Sequence, residues 1–510
     1  MASSSSSNKK GICYLVGAGP GDLGLVTLRA KECIELADVI AYDYLVNKEV
    51  LAWAQPGVEI IYVGKQADQH TLTQDKINSL LIEKVKTGHT VTRLKGGDPY
   101  VFGRGGEEAE ELEAAGCAWE VVHGISSTIA GPGYAGIPVT HRDHCSQLTI
   151  FTGHEDPTKE ESSLDFAQLA STPGTRIMLM GVGRIGILAG KLVEHGAASD
   201  TPVALVRWAT TPRQEVLTGT LATIADLVAA RGFKPPAVCI IGGVVGLREK
   251  LCWFERRPLY GQRIVVTRTR QQAGDLSRQL RSLGADVFEL PTIRTEPPRN
   301  MMEFGQLVQD CHNYEWILFT SPNGVEAFFD MFFKLYKDAR DVGGAKFVCI
   351  GPGTEKKLKD YHLSAEFVPE KSVAESLVKE LIAHVGSLEN QSVLWVRPED
   401  ARDVIVTALT EHGAIVDEAI AYRTVPETED PTGAQARFRE EGADVLTFAS
   451  SSAVENFFAL NLPLPSGIKI ASIGPVTTAA LKVVGHKPHI EAKQHDIPGL
   501  AAAILKACGK

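Results

Sequence analysis

The chain has 510 residues, 44% hydrophobic and 22% charged, with a formal net charge of −10. Such a length accommodates several domains with cores of their own, in the composition of an ordinary soluble globular protein. The acidic balance speaks against a general nucleic-acid binder, which would be basic, yet a local basic pocket could still take an acidic small substrate.

The opening MASSSSSNKK is polar, lacks the apolar core of a signal peptide and reads as a disordered tail over residues 1–10. No run approaches the roughly 20 apolar residues of a membrane span. Nine cysteines are scattered without a C-x-x-C pair, which fits reduced thiols in the cytosol and offers no metal site. GICYLVG predicts a strand, TLRAKECIELA a helix and DVIAYD the next strand, and this alternation continues to AVCIIGGVV near residue 245. Repeated strand–helix alternation predicts α/β architecture with largely parallel sheets.

Three glycine clusters interrupt the first half. In VGAGPGDLG, Gly19, Gly21 and Gly24 satisfy G-x-G-x-x-G between a strand and a helix, with Asp43 about 20 residues on. Pro20 removes an amide that a pyrophosphate would need, and Asp22 adds a negative charge, so a neutral or cationic ligand suits this loop better than a dinucleotide. A tight strand–helix connection with no ligand remains the plain alternative. RLKGGDPYVFGRGGEE follows the predicted strand TVTRLK: Gly96 and Gly97 permit positive φ and close backbone approach, and Asp98 can accept hydrogen bonds. Arg104 and Glu107, three residues apart, fall on one helical face. In HGISSTIAGPGYAGIPVTHRDHC, Ser126, Ser127 and Thr128 offer hydroxyls at a turn, and Arg142 offers a fork for carboxylates, while His141 reads as structural.

The pattern breaks at LCWFERRPLYGQ, residues 251–262, and a new series opens with RIVVTRTR, which puts the main boundary near residue 257. The second half repeats itself: TSPNGVEAFF resembles ASSSAVENFF, and IGPGTEKKL resembles IGPVTTAAL, as two similar α/β lobes would.

GPGD, YDYLV, VGK, RLKGGDPYVFGRGGEE, GISS, GIPVTHRD…TGH, LMG and PPAVCIIGGVV occur in the order found in uroporphyrinogen-III C-methyltransferases, and residues 11–254 resemble that branch of the tetrapyrrole methylase family. The resemblance implies two α/β domains, about 11–125 and 126–254, with S-adenosylmethionine bound in the cleft between them, S-adenosylhomocysteine as product, no metal, and a homodimer through this half. It implies cofactor contacts at Pro20, Gly96, Gly97, Asp98, Val101, Ser126, Ser127, Met180 and Ala209. Ala209 falls where the family usually has glycine, and Leu179 replaces a common tyrosine. Asp43 and Lys65 match positions assigned as general base and acid, and Arg104, Glu107 and Arg142 match substrate contacts. Arg104 also matches a candidate base; because guanidinium stays protonated, a carboxylate base is chemically favoured and the choice is left open.

RIVVTRTRQQAGDLSRQLRSLGADVFELPTIR, WILFTSPNGVEAFF, IGPGT, VLWVRPEDARDVIVTALTEHGAIVDEAIAYRTV, LTFASSSAVENFF and ASIGPVTTAAL likewise resemble uroporphyrinogen-III synthase in order. That resemblance implies two α/β lobes joined by a two-strand link after a linker at 255–261, with lobe one about 262–294 plus 425–510 and lobe two about 295–424. The substrate would be hydroxymethylbilane, closed with inversion of its last ring. Tyr422 matches the tyrosine proposed to assist hydroxyl loss, and Thr267, Ser321, Asn323, Ser450, Ser451 and Thr477 fall at predicted strand ends where α/β proteins bind ligands. Two consecutive cytoplasmic enzymes of tetrapyrrole biosynthesis, leading through precorrin-2 towards sirohaem or cobalamin, are the expectation. The alternatives are a synthase-like half that only binds a tetrapyrrole, a methylase with another substrate, and a dehydrogenase using the first glycine loop.

Overall fold

ICYLVG, with every residue buried or half-buried, forms β1 (Ile12–Gly17), one of five strands in an all-parallel first sheet. The others are β2 (Val39–Tyr42), β3 (Glu59–Tyr62), β4 (Thr90–Lys95) and β5 (Ala118–Val122), in the order β3-β2-β4-β1-β5. The computed structural model describes residues 10–64, 73–154, 164–267, 270–371, 373–401, 403–427 and 433–510. Lys65 and residues 1–9 of the expected tail lie outside the described residues.

The second sheet is mixed. It comprises β6 (Leu148–Thr152), β7 (Thr175–Leu179), β8 (Pro202–Arg207), β9 (Glu215–Thr220) and β10 (Ala237–Ile241), ordered β6-β7-β10-β8-β9. Only β6 and β7 run parallel; the other three pairings are antiparallel. The sheets are largely parallel as expected, and this one is the exception; its β8–β9 pairing shows why. The short connection WATTPRQ between β8 and β9 cannot make the crossover of a dozen or more residues that parallel neighbours need, so the chain turns back as a hairpin.

The chain enters a third sheet with β11 (Arg263–Val266) and β12 (Asp286–Glu289), then leaves it to build a fourth. That fourth sheet holds β13 (Ile293–Glu296), β14 (Trp316–Phe319), β15 (Lys346–Cys349), β16 (Ser392–Pro398) and β17 (Ile415–Pro426). The chain returns to complete the third with β18 (Val445–Phe448), β19 (Lys469–Ser472) and β20 (Ile490–Glu491). β13 and the end of β17 are antiparallel, with Ile293 opposite Pro426 and Glu296 opposite Arg423, and they are the two strands that pass between the lobes. The internal repeat is visible as two matching units, strand β14 then helix Pro322–Leu335 and strand β18 then helix Ser451–Ala459.

Each sheet is covered on both faces, as parallel-rich sheets require. In β14, Ile317 and Phe319 enter one core cluster while Trp316 and Leu318 enter the cluster on the opposite face. The first of these is dense in phenylalanine, with Phe319, Phe328, Phe329 and Phe332 fully buried. No helix of the described residues is long and apolar enough to cross a membrane.

Candidate active sites

In the first half, the loops after the parallel strands gather at one edge, where open α/β sheets bind ligands. The β1 loop and the β4 loop are tied by a reciprocal bridge: Gly97 N donates to Gly19 O at 2.7 Å and Gly19 N to Gly97 O at 3.2 Å. Pro20 follows Gly19 directly, and Gly97 has φ +70. A Cβ on Gly96 would lie 2.6 Å from the Cβ of Leu45, so only glycine fits there. A Cβ on Gly97 would meet nothing nearer than 3.8 Å, and what it would meet is Ser127 and then Ser126. Gly97 therefore leaves an open backbone shelf facing the two serines, with Ser126 capping the helix Ser127–Tyr134.

The opposite wall comes from the second sheet. Met180 (φ 56), Trp208 (φ 45) and Thr210 (φ 67) are non-glycine residues in the left-handed region, a strain that persists only where surrounding structure enforces it. Thr210 Oγ1 accepts from Asp22 N at 3.1 Å, joining this wall to the first glycine loop, and Trp208 lies 6.1 Å from Tyr44 in ring-centroid distance. Ala209, between the two strained residues, keeps an ordinary φ and packs against the helix at Gly131. The alanine in place of glycine is thus accommodated by a glycine opposite it. Met180 is exposed, and Val101 is half-buried beyond Asp98. Asp98 is buried with its carboxylate already occupied: it accepts from Tyr100 N at 2.8 Å and Gly124 N at 3.1 Å, and His123 Nδ1 lies 2.9 Å away.

The charges of RLKGGDPYVFGRGGEE divide into two groups. Arg93 and Lys95 point inward from β4 and converge on Glu108, which has no exposed surface; Arg93 Nε and Lys95 Nζ reach Glu108 Oε1 at 3.2 and 2.9 Å. Gln74 Nε2 donates to the same oxygen at 3.1 Å. Burial alone would raise the Glu108 carboxyl, but the two cations outweigh it and hold it below the usual carboxylate range. Burial, and then the neighbouring Arg93, push the Lys95 ammonium below its ordinary value. Arg93 also reaches Asp43 Oδ2 at 3.5 Å, while Asp43 Oδ1 is buried with no hydrogen-bond partner.

Arg104 and Glu107 form the exposed group. Arg104 is in the left-handed region at the start of the helix Gly105–Ala114. Its Nε donates to both Glu107 oxygens at 3.1 Å, and Nη2 reaches Oε2 at 2.5 Å. The hydrogen bond to Glu107 raises the guanidinium further above its ordinary value. Arg142 is exposed on the His141–Cys145 turn, with no ion pair among the described residues, and no contact ties it to the Arg104–Glu107 pair. Sequence reasoning missed Glu108, Arg93, Lys95 and Gln74 as one network. The available signal was two cations at i and i+2 on a strand buried on both faces, which demand an internal countercharge.

In the second half, Tyr422 lies on β17 opposite the irregularity between Arg397 and Pro398, and bulges commonly re-aim a side chain beside a site. Its hydroxyl and the Ser321 hydroxyl are 2.9 Å apart across the fourth sheet. Burial pushes the phenol above its ordinary value, so it stays protonated at neutral pH. Ser321 caps the helix Pro322–Leu335 by accepting from Gly324 N at 3.0 Å; Ser450 caps the helix Ser451–Ala459 by accepting from Ala453 N at 3.1 Å. Asn323 and Ser451 are half-exposed in the first turns of those helices. Thr267 is fully buried, and its hydroxyl donates to Thr447 O at 2.7 Å within the sheet. Thr477 is also buried.

Among the described residues, no group of three or more His, Cys, Asp or Glu side chains could hold a metal ion. A groove of about 480 Å³ bordered by Ile137, Pro138, Leu251 and Trp253 includes none of the strand-end loop residues.

Two family models match the chain: tetrapyrrole (corrin/porphyrin) methylases over residues 13–225, and uroporphyrinogen-III synthase HemD over residues 274–502. The porphyrin biosynthesis protein HemD of Ruminiclostridium josui is 36% identical over 501 residues, 98% of each chain. The S-adenosyl-L-methionine-dependent uroporphyrinogen III methyltransferase of Methanosarcina barkeri is 54% identical over 245 residues, 48% of this chain and 96% of its own. Among solved structures, the native uroporphyrin III C-methyltransferase of Thermus thermophilus is 38% identical, covers 46% of this chain and 99% of that one, and has a TM-score of 0.40.

Proposed function

The chain belongs to the family in which a tetrapyrrole methylase and a uroporphyrinogen-III synthase are joined in one polypeptide, and from that premise we propose that it performs two consecutive steps: closure of hydroxymethylbilane to uroporphyrinogen III, then double methylation to precorrin-2. The N-terminal half is a uroporphyrinogen-III C-methyltransferase and the C-terminal half a uroporphyrinogen-III synthase. The observation that carries the reading is that relatedness to one fused protein runs through both halves and the junction between them.

In the methyltransferase half, S-adenosylmethionine when bound supplies an electrophilic methyl group on a positively charged sulfonium. The loops suit such a ligand: an open backbone shelf at Gly97 faces Ser126 and Ser127, and the rim carries Asp22 and Asp43. Pro20, Gly96, Val101, Met180 and Ala209 complete the proposed pocket, and Asp98 shapes it from within by fixing the backbone at residues 100 and 124. Asp43, with one oxygen free of partners, takes the ring proton released as the new carbon–carbon bond forms. Lys65 is the proposed acid. Arg104 stays a cation and with Arg142 receives the substrate's carboxylate side chains, while Glu107 is a further substrate contact, an acceptor for hydrogen-bond donors.

In the synthase half, the neutral phenol of Tyr422 donates to the departing hydroxyl, which leaves as water, and Ser321 orients the phenol. Ring closure then releases a ring proton. The lobes hold the two chain ends together for inverted closure, with Asn323, Ser450 and Ser451 at helix starts receiving carboxylates; proximity of this kind contributes roughly 7–11 kcal/mol. Precorrin-2 leads on to both sirohaem and cobalamin. The nine free cysteines support a reducing, cytoplasmic compartment, and a homodimer through the methyltransferase half is part of the proposal.

The test is mass spectrometry of products from fresh hydroxymethylbilane with and without S-adenosylmethionine. A type III macrocycle carrying two added methyl groups is expected. Type I macrocycle, the uncatalysed product, would reduce the second half to a binding module.

A further inference from the structure

The segment expected to be a plain linker is packed on both sides. Phe254 is buried, Leu259 is fully buried in the core of the third sheet's lobe, and Leu259 N donates to Leu283 O at 2.9 Å. At Glu255 and Tyr260 the segment touches the methyltransferase at Gln214, in the loop between β8 and β9. The Tyr260 hydroxyl donates to Gln214 O, and Gln214 Nε2 donates to Glu255 Oε1 at 3.0 Å.

Gln214 is buried and uses its whole amide. Its Nε2 also reaches Tyr134 O at 3.2 Å, and its Oε1 accepts from Thr210 N at 3.1 Å. Thr210 is the strained residue whose hydroxyl accepts from Asp22 N at 3.1 Å, and Tyr134 donates its hydroxyl to Asp22 Oδ2 at 2.8 Å. From Gln214, two short paths thus end on the same residue of the first glycine loop. On the other side of that loop, Asn47 Nδ2 donates to Gly21 O at 2.8 Å, Asn47 Oδ1 accepts from Glu49 N at 3.1 Å, and Glu49 pairs with Arg281 of the synthase half at 2.6 Å. A third tie joins Glu441 of the synthase half to Arg213 at 3.2 Å, and Arg213 lies over the Trp208 ring at 4.9 Å.

We propose that Gln214 is a positioning residue for the methyl-donor site, and that this site is braced by the junction residues Tyr260 and Glu255 on one rim of the glycine loop and by Arg281 of the synthase half on the other. Gln214 touches neither reactant. It holds Thr210 in a conformation that threonine does not adopt on its own, and Thr210 holds the Asp22 amide. This rests on the assignment of Gly19–Asp22 to the methyl-donor pocket. The fusion then has a mechanical consequence within one chain: the synthase lobe is part of the scaffold of the methyltransferase pocket.

The test uses the full-length protein with S-adenosylhomocysteine as probe, titrated calorimetrically, together with steady-state methyl transfer. In Gln214→Met, the probe's Kd and the KM for S-adenosylmethionine are expected to rise about tenfold, the usual scale for one lost buried hydrogen-bond set, with kcat little changed. Tyr260→Phe and Arg281→Ala, milder changes that preserve folding, are expected to raise both by a few-fold. Cyclisation of hydroxymethylbilane by the same preparations reports that the synthase half is intact. A Kd and KM within about twofold of the parent in all three variants, even with a lowered melting temperature, would overturn the proposal and leave the donor-site assignment standing. A parent protein that does not bind S-adenosylhomocysteine overturns both.

Discussion

At the carboxyl edge of the first sheet and the wall facing it, Phe102, Arg104, Met180, Trp208 and Thr210 all adopt positive φ, and glycine is obligatory at Gly96. At the equivalent edges in the second half, Ser321 and Ser450 cap ordinary helices with nearly identical geometry, φ −160 and −159. Among the described residues of that half, the positive-φ non-glycine residues are His362 and Asn461, which follow helix ends, and Asn390, in the turn before β16, places where such conformations are routine. One site is built from local backbone strain and buried charge, the other from two common strand–turn–helix units, one in each of two linked lobes. The difference follows from the chemistry proposed for each. Methyl transfer needs a rigid pocket for a specific donor, whereas inverted ring closure needs two surfaces that fold a flexible substrate.

The comparison breaks first at Asp43. If the methyltransferase half depends on one placed carboxylate, Asp43→Asn lowers methyl transfer about 10²- to 10⁴-fold, the range of a lost general base, and leaves cyclisation alone. Single-turnover methyl transfer measures this directly. A loss matched instead by Arg104→Lys, with Asp43→Asn near the parent rate, would shift the base elsewhere.

The next largest effect is on stability. Glu108→Ala leaves Arg93 and Lys95 buried without a countercharge, and about 3–5 kcal/mol of stability should be lost in urea unfolding. The pH dependence has a definite sign. The Glu108 carboxyl is held below its ordinary value when folded, so its contribution is fully present above the unfolded carboxylate value of roughly 4.3. It is lost as pH falls from there through the lowered folded value. Melting temperatures recorded down through that window should decline less steeply in Glu108→Gln than in the parent; equal slopes would mean that the cations do not control this carboxyl.

This network also marks the limit of what could be read from residues alone. RLKGGDPYVFGRGGEE identified its loop because glycine at Gly96 and Gly97 answers a backbone requirement that no other residue meets. The same string did not disclose that Arg93, Lys95 and Glu108 satisfy one another, since a charge in sequence carries no sign of burial. Strand β4 and helix Gly105–Ala114 had first to be packed together. The strain at Trp208 and Thr210 was invisible for a related reason: neither residue type favours positive φ, and the contacts around Thr210, among them its amide to Gln214 Oε1, form only in the folded hairpin. In the second half the repeat revealed two lobes, but a hydroxyl at a strand end gave no sign of the bond that Thr267 makes to the carbonyl of Thr447.

Tyr422→Phe probes the second half's one distinctive group. Losing a donor to the leaving hydroxyl should slow cyclisation about 10²-fold, at the low end of acid catalysis, with methyl transfer of supplied uroporphyrinogen III unchanged. Stopped assays scored for type III against type I isomer would register it, and an unaltered rate would leave the phenol a structural partner of Ser321.

The smallest effects separate capping from chemistry within the repeat itself. Ser321 and Ser450 occupy matching places and make matching cap bonds, at 3.0 and 3.1 Å, so alanine at either should cost about 1 kcal/mol in chemical unfolding. Only Ser321 also meets the Tyr422 hydroxyl. Ser321→Ala should therefore slow type III formation severalfold where Ser450→Ala, equally destabilised, does so less. Equal kinetic losses at the two serines would mean that the lobes contribute symmetrically, as carboxylate-binding helix starts, and that the pairing with Tyr422 adds nothing to the reaction.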